Sequence, residues 1–336
     1  MLSFFRSNHE FAIDLGTNNT LIYQPKRGII LDEPTSIAFD NKRSLFCGIG
    51  ASSLKMVGKT PANVEVMHPL SKGAIANLTV AKAYIKEVMK RITNSRFFKP
   101  SIIVSVPSDL NAMERNAVVE ACKEGGAREV MLIKDPFSAA LGASLAIEKP
   151  KGLLVLDIGA GVSDISLLSC NGIVMSKSLR MAGNDLSDAI IEYFKEHHRV
   201  LIASREAEML KHSLGDLGAF EEKRVNISVK NMTTRLPERF EVSSLDVNKA
   251  LVPLVERIVS LTHGMLSIIP PAFAQDIYDH GIVLTGGSSM LKGFDSYLSK
   301  RLEIAINPIE DPLHNIILGA GRVLEERRYS RLLDVL

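Results

Sequence analysis

At 336 residues, 46% hydrophobic and 23% charged, the chain has ordinary globular composition and the length for two domains. A formal net charge of +2 with no Lys/Arg block argues against nucleic acid as a partner. No apolar run reaches the roughly 18 residues that a membrane span needs and no signal-peptide pattern opens the chain, so a soluble or membrane-peripheral protein of the cytoplasm is expected.

In chain order, MLSFFR sets Leu2, Phe4 and Phe5 beside Arg6 ahead of the first strand. Residues 11–23, FAIDLGTNNTLIY, read as a strand carrying Asp14 to its end, a tight turn through Gly16 and an apolar return strand. Two short β-rich runs broken by Pro34 follow, then a Gly- and Ser-containing stretch at 44–63, so region 33–69 is expected to be a small insert. GKT at 58–60 is no P-loop, because the Gly required five residues ahead of Gly58 is Ser53. Residues 78–93 carry apolar side chains at helical spacing and SIIVSVP is a buried strand. Asp109 and Asn111 can cap a helix over 112–124, which Gly125 and Gly126 stop. EVMLIKDP is a further strand, and the alternation predicts an α/β domain with a mixed sheet.

Past Pro150 the first pattern returns. Residues 152–169, GLLVLDIGAGVSDISLLS, again give an apolar run, an acidic residue, Asp157, a glycine turn and an apolar run back. Asn171-Gly172 is the dipeptide that suits a two-residue type I′ hairpin turn. Helices are expected to follow over about 184–198 and 205–213, then a polar strand-like insert at 223–239, a helix over 245–269, a strand with a Gly-Gly turn at 281–294, and a closing helix at 315–328. Cys47, Cys122 and Cys170 are odd in number, widely spaced and without CxxC, which suits small buried hydrophobes in a reducing compartment.

Two copies of one hairpin imply two half-domains with the same task, and the task that fits is holding phosphate. Gly16, Gly159 and Gly161 lack a Cβ, so backbone N–H groups can approach an anion closely. Asp14 and Asp157 cannot bind phosphate directly but can hold a hydrated Mg²⁺ against it, since Mg²⁺ keeps several waters and takes few carboxylates.

The pieces DLGTNNTLIY, GIILDEP, VGKTPANV, MHPLSKGAIA, VPSDLNAMERNAV, GAREVMLI, DIGAG, NGIV, IVLTGGSSML and EDPL resemble, in that order and over nearly the whole chain, the MreB family of bacterial actins. The resemblance implies the α/β actin-like ATPase fold, two RNase-H-like domains, each with a small inserted subdomain, closing over Mg-ATP or ADP. Domain I would take 1–150, with its core at 9–32 and 70–150 and its insert at 33–69. Domain II would take 151–336, with its core at 151–180 and about 245–318, its insert at about 181–244, and the helix at 315–328 packing back on domain I. The resemblance further implies a homopolymer, a double filament at the inner face of the cytoplasmic membrane, working with membrane proteins of cell shape and cell-wall synthesis.

By position, Asp14 and Asp157 match the Mg-associated aspartates, acting through water. Gly16, Thr17, Asn18 and Asn19 match one phosphate loop, and Gly159, Ala160, Gly161 and Val162 the other. Gly286, Gly287 and Ser288 match the turn beneath the adenine, and Gly183 and Asn184 the turn on the ribose side. Glu208 and Lys211 match the pair that contacts the nucleoside, although an i, i+3 Glu/Lys pair by itself reads as a solvated helix face.

Two departures concern the chemistry. The family's Glu-Glu-Pro, whose second Glu positions the attacking water, is here Lys134, Asp135 and Pro136. Asp is one methylene shorter, and a misplacement of about 1 Å can cost roughly a hundredfold in rate. The family's DIGGGT ends in a Thr whose hydroxyl helps hold the γ-phosphate and water; here Ala160 and Val162 stand in that segment, and Val cannot donate a hydrogen bond. Slow hydrolysis is therefore expected, with catalytic roles on Asp135, Asp14 and Asp157; the alternatives are a nucleotide-binding scaffold with little turnover, or Ser163 or a water supplying the missing hydroxyl. Family members reach lipid through an N-terminal amphipathic segment or a short apolar loop, and here Leu2, Phe4 and Phe5 match the first and Phe97 and Phe98, between Arg96 and Lys99, the second.

Overall fold

The structure, a computed structural model, describes residues 10–43, 45–93, 99–218 and 221–335. Leu2, Phe4, Phe5, Phe97 and Phe98 lie outside the described residues. The chain divides into two compact units, Met1–Lys151 with Leu168–Val174 and Leu313–Leu336, and Gly152–Leu167 with Met175–Pro312.

Unit 1 begins with β1 (Glu10–Leu15), β2 (Asn19–Gln24) and β3 (Gly28–Pro34), an antiparallel meander. A small sheet follows, with β4 (Ile37–Asp40) between β5 (Leu45–Ile49) and β6 (Val64–Met67), and a one-turn helix α1 (Ala51–Leu54). β7 (Leu70–Ser71) and β8 (Ala74–Ile75) form a short hairpin. Helix α2 (Leu78–Ile92) starts where the Asn77 side chain accepts from the Val80 N–H at 3.1 Å, and buries Val80, Ala81, Tyr84, Ile85, Val88 and Met89.

β9 (Ser101–Val106) is buried along its whole length, which is why it reads as a continuous apolar run. Helix α3 (Ala112–Gly125) has the capping box that Asn111 and Glu114 make and ends on Gly126 at φ 119°. β10 (Glu129–Lys134) runs directly into α4 (Asp135–Gly142). The main sheet of this unit runs β10, β9, β1, β2, β3, with β9 parallel to both β1 and β10.

β11 (Leu153–Ile158), β12 (Ser163–Ser169) and β13 (Gly172–Leu179) give a second run of three consecutive strands, which lies in unit 2 except for Leu168–Val174. The turn before β13 uses Cys170 and Asn171, at φ 49° and 59°, rather than Asn171 and Gly172. Both central residues of a type I′ turn need positive φ, and Asn tolerates it, so with β12 buried from Ser163 to Ser169 the strand register, not the glycine, sets the turn frame.

Helices α5 (Gly183–His198) and α6 (Ser204–Leu214) come next, with β14 (Val200–Leu201) between them and a small sheet completed by β15 (Arg224–Asn231) and β16 (Pro237–Ser243). Helix α7 (Ser244–Leu266), capped by Ser243, and α8 (Ala274–His280) lead to β17 (Ile282–Thr285), α9 (Phe294–Leu302) and β18 (Ile306–Pro308). The larger sheet runs β13, β12, β11, β17, β18, and its core gathers Leu154, Leu156, Ile158, Phe194, Leu210, Leu284 and Phe294.

The chain closes in unit 1. Helix α10 (Asn315–Glu325) packs on α4, and β19 (Asp334–Val335) pairs antiparallel with β10 at the sheet edge. Among the described residues no single helix is long and apolar enough to cross a membrane. Cys122 is buried as expected, but Cys47 and Cys170 are exposed, because one lies on the edge strand of the small sheet and the other in the turn before β13.

Candidate functional site

In unit 1, β1 carries Asp14 to its end, and the turn that follows is closed by the Gly16 N–H donating to the Asn19 carbonyl at 3.0 Å. A Cβ on Gly16 would meet that same oxygen at 2.6 Å, so the closure requires glycine there. The turn is anchored from two sides. The Gly73 N–H in the β7–β8 turn donates to Thr17 Oγ1 at 3.2 Å, and the Thr35 N–H donates to the Asn18 carbonyl at 2.7 Å. Burial pushes the Asp14 carboxyl up to about 7, with no neighbouring charge or hydrogen bond among the described residues to offset it. Asp135 opens α4 and is half-buried.

Unit 2 repeats this device. The Gly159 N–H donates to the Val162 carbonyl at 2.9 Å, across the same three-residue step as Gly16 to Asn19. The amides of Gly16 and Gly159, which the sequence pointed to as anion donors, are therefore spent on closing their own turns.

Around the second turn the unit gathers most of its sequence-indicated residues. The Gly183 and Asn184 N–H groups donate to the carbonyls of Gly159 and Ala160 at 3.2 and 2.8 Å, and Ser288 Oγ donates to the Gly159 carbonyl at 2.6 Å. Gly286, at φ 86°, follows β17, whose Thr285 is in register with Asp157. A Cβ on Gly286 would collide with Asp157 Oδ1 and the Ile158 carbonyl, so this turn requires glycine on both counts. Gly287 opens the single helical turn Gly287–Met290 that carries Ser288.

Glu208 and Lys211 do not form a solvated helix face. Lys211 is 7% exposed, and its ammonium donates to the Gly183 carbonyl, to Ser187 Oγ and to Glu208 Oε2 at 2.8, 3.0 and 2.8 Å. Ser187 in turn donates a short hydrogen bond to Glu208 Oε2. Burial alone would raise the Glu208 carboxyl; Lys211, Ser187 and His212 outweigh it and hold the group below the ordinary glutamate value.

Ser163 does not replace the missing threonine hydroxyl as a donor. Fully buried, its Oγ donates to the Met181 carbonyl at 2.8 Å. The sequence reading missed Ser187 and Gly73, since neither belongs to a recognisable motif and each acts through a partner distant in the chain.

The chain matches the family model described as MreB/Mbl protein over residues 8–331. It is 35% identical over 334 residues to the cell shape-determining protein MreB of Escherichia coli (strain K12), covering 97% of this chain and 96% of that one. The crystal structure of MreB5 of Spiroplasma citri bound to AMPPNP superposes with a TM-score of 0.90 at 29% identity, over 96% of this chain and 97% of that one. The double helical filament structure of MamK matches at a TM-score of 0.79 and 20% identity, over 94% and 99% of the two chains, and shows the shared fold.

Proposed function

The chain belongs to the MreB/Mbl family, and we propose that it is an actin-like cytoskeletal protein that binds Mg-ATP, polymerises into membrane-associated filaments organising cell shape and cell-wall synthesis, and hydrolyses ATP slowly. Its α/β fold is the actin-like one of MreB5. We take 1–150 and 151–336 as its two domains, each with a small insert, the helix at about 315–328 packing back on the first.

The observation that carries the nucleotide reading is the hydrogen-bonded convergence in unit 2 of Gly159, Ala160, Gly183, Asn184, Ser288, Glu208 and Lys211. Those residues come from four separate stretches of chain, and MreB5, folded alike, was solved with AMPPNP. In this reading Gly183 and Asn184, with Glu208 and Lys211 behind them, line the nucleoside, and Gly286, Gly287 and Ser288 support the adenine. The interior amides of the two turns, at Thr17 and at Ala160 and Gly161, would donate to phosphate. Asp14 fits a cation, because it is a carboxylate whose burial nothing else offsets; Asp14 and Asp157 would hold Mg²⁺ through water, and the ion would neutralise phosphate charge. Asp135 would orient the attacking water, with a shorter reach than Glu. Leu2, Phe4 and Phe5 or Phe97 and Phe98 would enter lipid at the inner face of the cytoplasmic membrane.

The test is polymerisation. With Mg-ATP and anionic vesicles, rising light scattering and filaments by electron microscopy are expected; a stable monomer with every nucleotide and lipid overturns the reading. A nucleotide-binding scaffold with little turnover is the second reading, favoured by the side chain of Val162 and the commitment of Ser163 to Met181.

A further inference from the structure

We infer that Ser105 and Ser138 form one buried positioning device that holds Asp135 in place, an inference that rests on the ATPase reading above. Asp135 is the first residue of α4, and Lys134 ahead of it makes no side-chain cap. Pro136 follows and has no N–H to give. The helix's first turn carries the carboxylate, so what ties that turn to the sheet sets where the carboxylate stands.

Farther along, α4 is tied to α10. Asn315 Nδ2 donates to the Ala139 carbonyl at 2.9 Å and Arg322 Nη1 to the Leu141 carbonyl at 2.7 Å. α10 comes close here because it presents Gly319, whose Cβ would overlap the Ser138 carbonyl oxygen. Ser138 lies three residues after Asp135, hence on the same side of the helix. Its hydroxyl goes to the sheet: Ser138 Oγ and Ser105 Oγ are 3.0 Å apart, and the two residues are 0% and 4% exposed.

Ser105 is the register partner of Asp14 on one side and of Ile133 on the other, so in these parallel pairings the three side chains share one face of the sheet. The hydroxyl pair therefore stands one strand from Asp14 and one helical turn from Asp135, and fixes the support of the second carboxylate against the support of the first. Removing one hydroxyl leaves its partner buried without that bond, which loosens the contact at its most constrained point. A carboxylate one methylene shorter than Glu has less reach with which to compensate for such movement.

The experiment is steady-state phosphate release by the full chain with Mg-ATP, for wild type, Ser105→Ala, Ser138→Ala, the double variant and Ser138→Thr, with a melting curve for each. Each alanine variant is expected to lower kcat roughly tenfold with KM for ATP within about twofold. The double variant is expected to be no slower than the worse single, because the pair acts as a unit. Ser138→Thr, which keeps the hydroxyl, is expected to recover most of the rate. Unchanged kcat, a loss carried by KM, additive losses, or a collapse of melting temperature in every variant would each overturn the inference. A wild type that turns over beside unaffected variants sinks this inference alone; a wild type that releases no phosphate sinks the ATPase reading and this inference with it.

Discussion

The Gly159 amide donates to the Val162 carbonyl at 2.9 Å, so the backbone, and not the Val162 side chain, closes the second turn. The corresponding bond from Gly16 to Asn19 closes the first. The Val162 side chain is thus free to vary without loss of its turn, and the chemistry it brings can be tested by itself.

Val162→Thr combined with Asp135→Glu is expected to raise the rate of phosphate release at least tenfold. The threonine is isosteric with valine and adds a hydroxyl worth about 1–3 kcal/mol where it meets charge, while the glutamate adds the missing reach. Phosphate release measured beside polymer formation checks this, and no change in rate would leave the two departures without catalytic meaning.

Lys211→Met removes one ammonium and with it a donor to each of three groups, the Gly183 carbonyl, Ser187 Oγ and Glu208 Oε2. A stability loss of roughly 1–3 kcal/mol is expected, a few degrees in melting temperature for a unit of this size. The gain in melting temperature on adding nucleotide should shrink as well. A variant with wild-type nucleotide affinity would confine Lys211 to a structural role.

The effect of removing the Asp14 charge depends in size on pH and in sign on the ligand. The Asp14 carboxyl is raised from 3.8 to about 7, so the folded protein holds this proton more tightly than the unfolded chain does. Stability therefore falls as pH rises from about 4 through 7, by up to about 4 kcal/mol in the absence of metal and nucleotide. Asp14→Asn is expected to melt higher than wild type at pH 8 in EDTA, by a few degrees, and the difference should vanish toward pH 4. With Mg-ATP the order should reverse, because the variant loses the ligand's stabilisation. Scanning calorimetry at three pH values, with and without Mg-ATP, decides both halves.

Phe97→Ser with Phe98→Ser is expected to cut co-sedimentation with anionic vesicles several-fold, since each Phe moved out of water contributes roughly 1.5–3 kcal/mol and a filament multiplies the effect. Undiminished pelleting would move the membrane role to Leu2, Phe4 and Phe5, which a deletion of residues 2–6 then tests.

The elements that could be read in advance are those whose causes lie within a few residues. Asn77, the Asn111 and Glu114 capping box, and Gly126 set helix ends through hydrogen bonds and φ values that neighbouring residues determine. The two Asp–Gly hairpins were legible because alternation and glycine sterics act locally, and their repetition pointed to a paired task. Tertiary packing supplied the rest. Gly159 and Ser288, 129 positions apart, meet because β11 and β17 lie side by side in one sheet. Lys211, which by spacing belongs to a solvated face, is buried because α6 packs against α5, which begins at Gly183. Cys47 and Cys170 are exposed, and the turn before β13 shifts by one residue, because an edge position and a strand register are properties of the assembled sheet. Local sterics and periodicity act over one turn or one hairpin; burial, register and the pairing of distant polar groups exist only once the whole chain has packed.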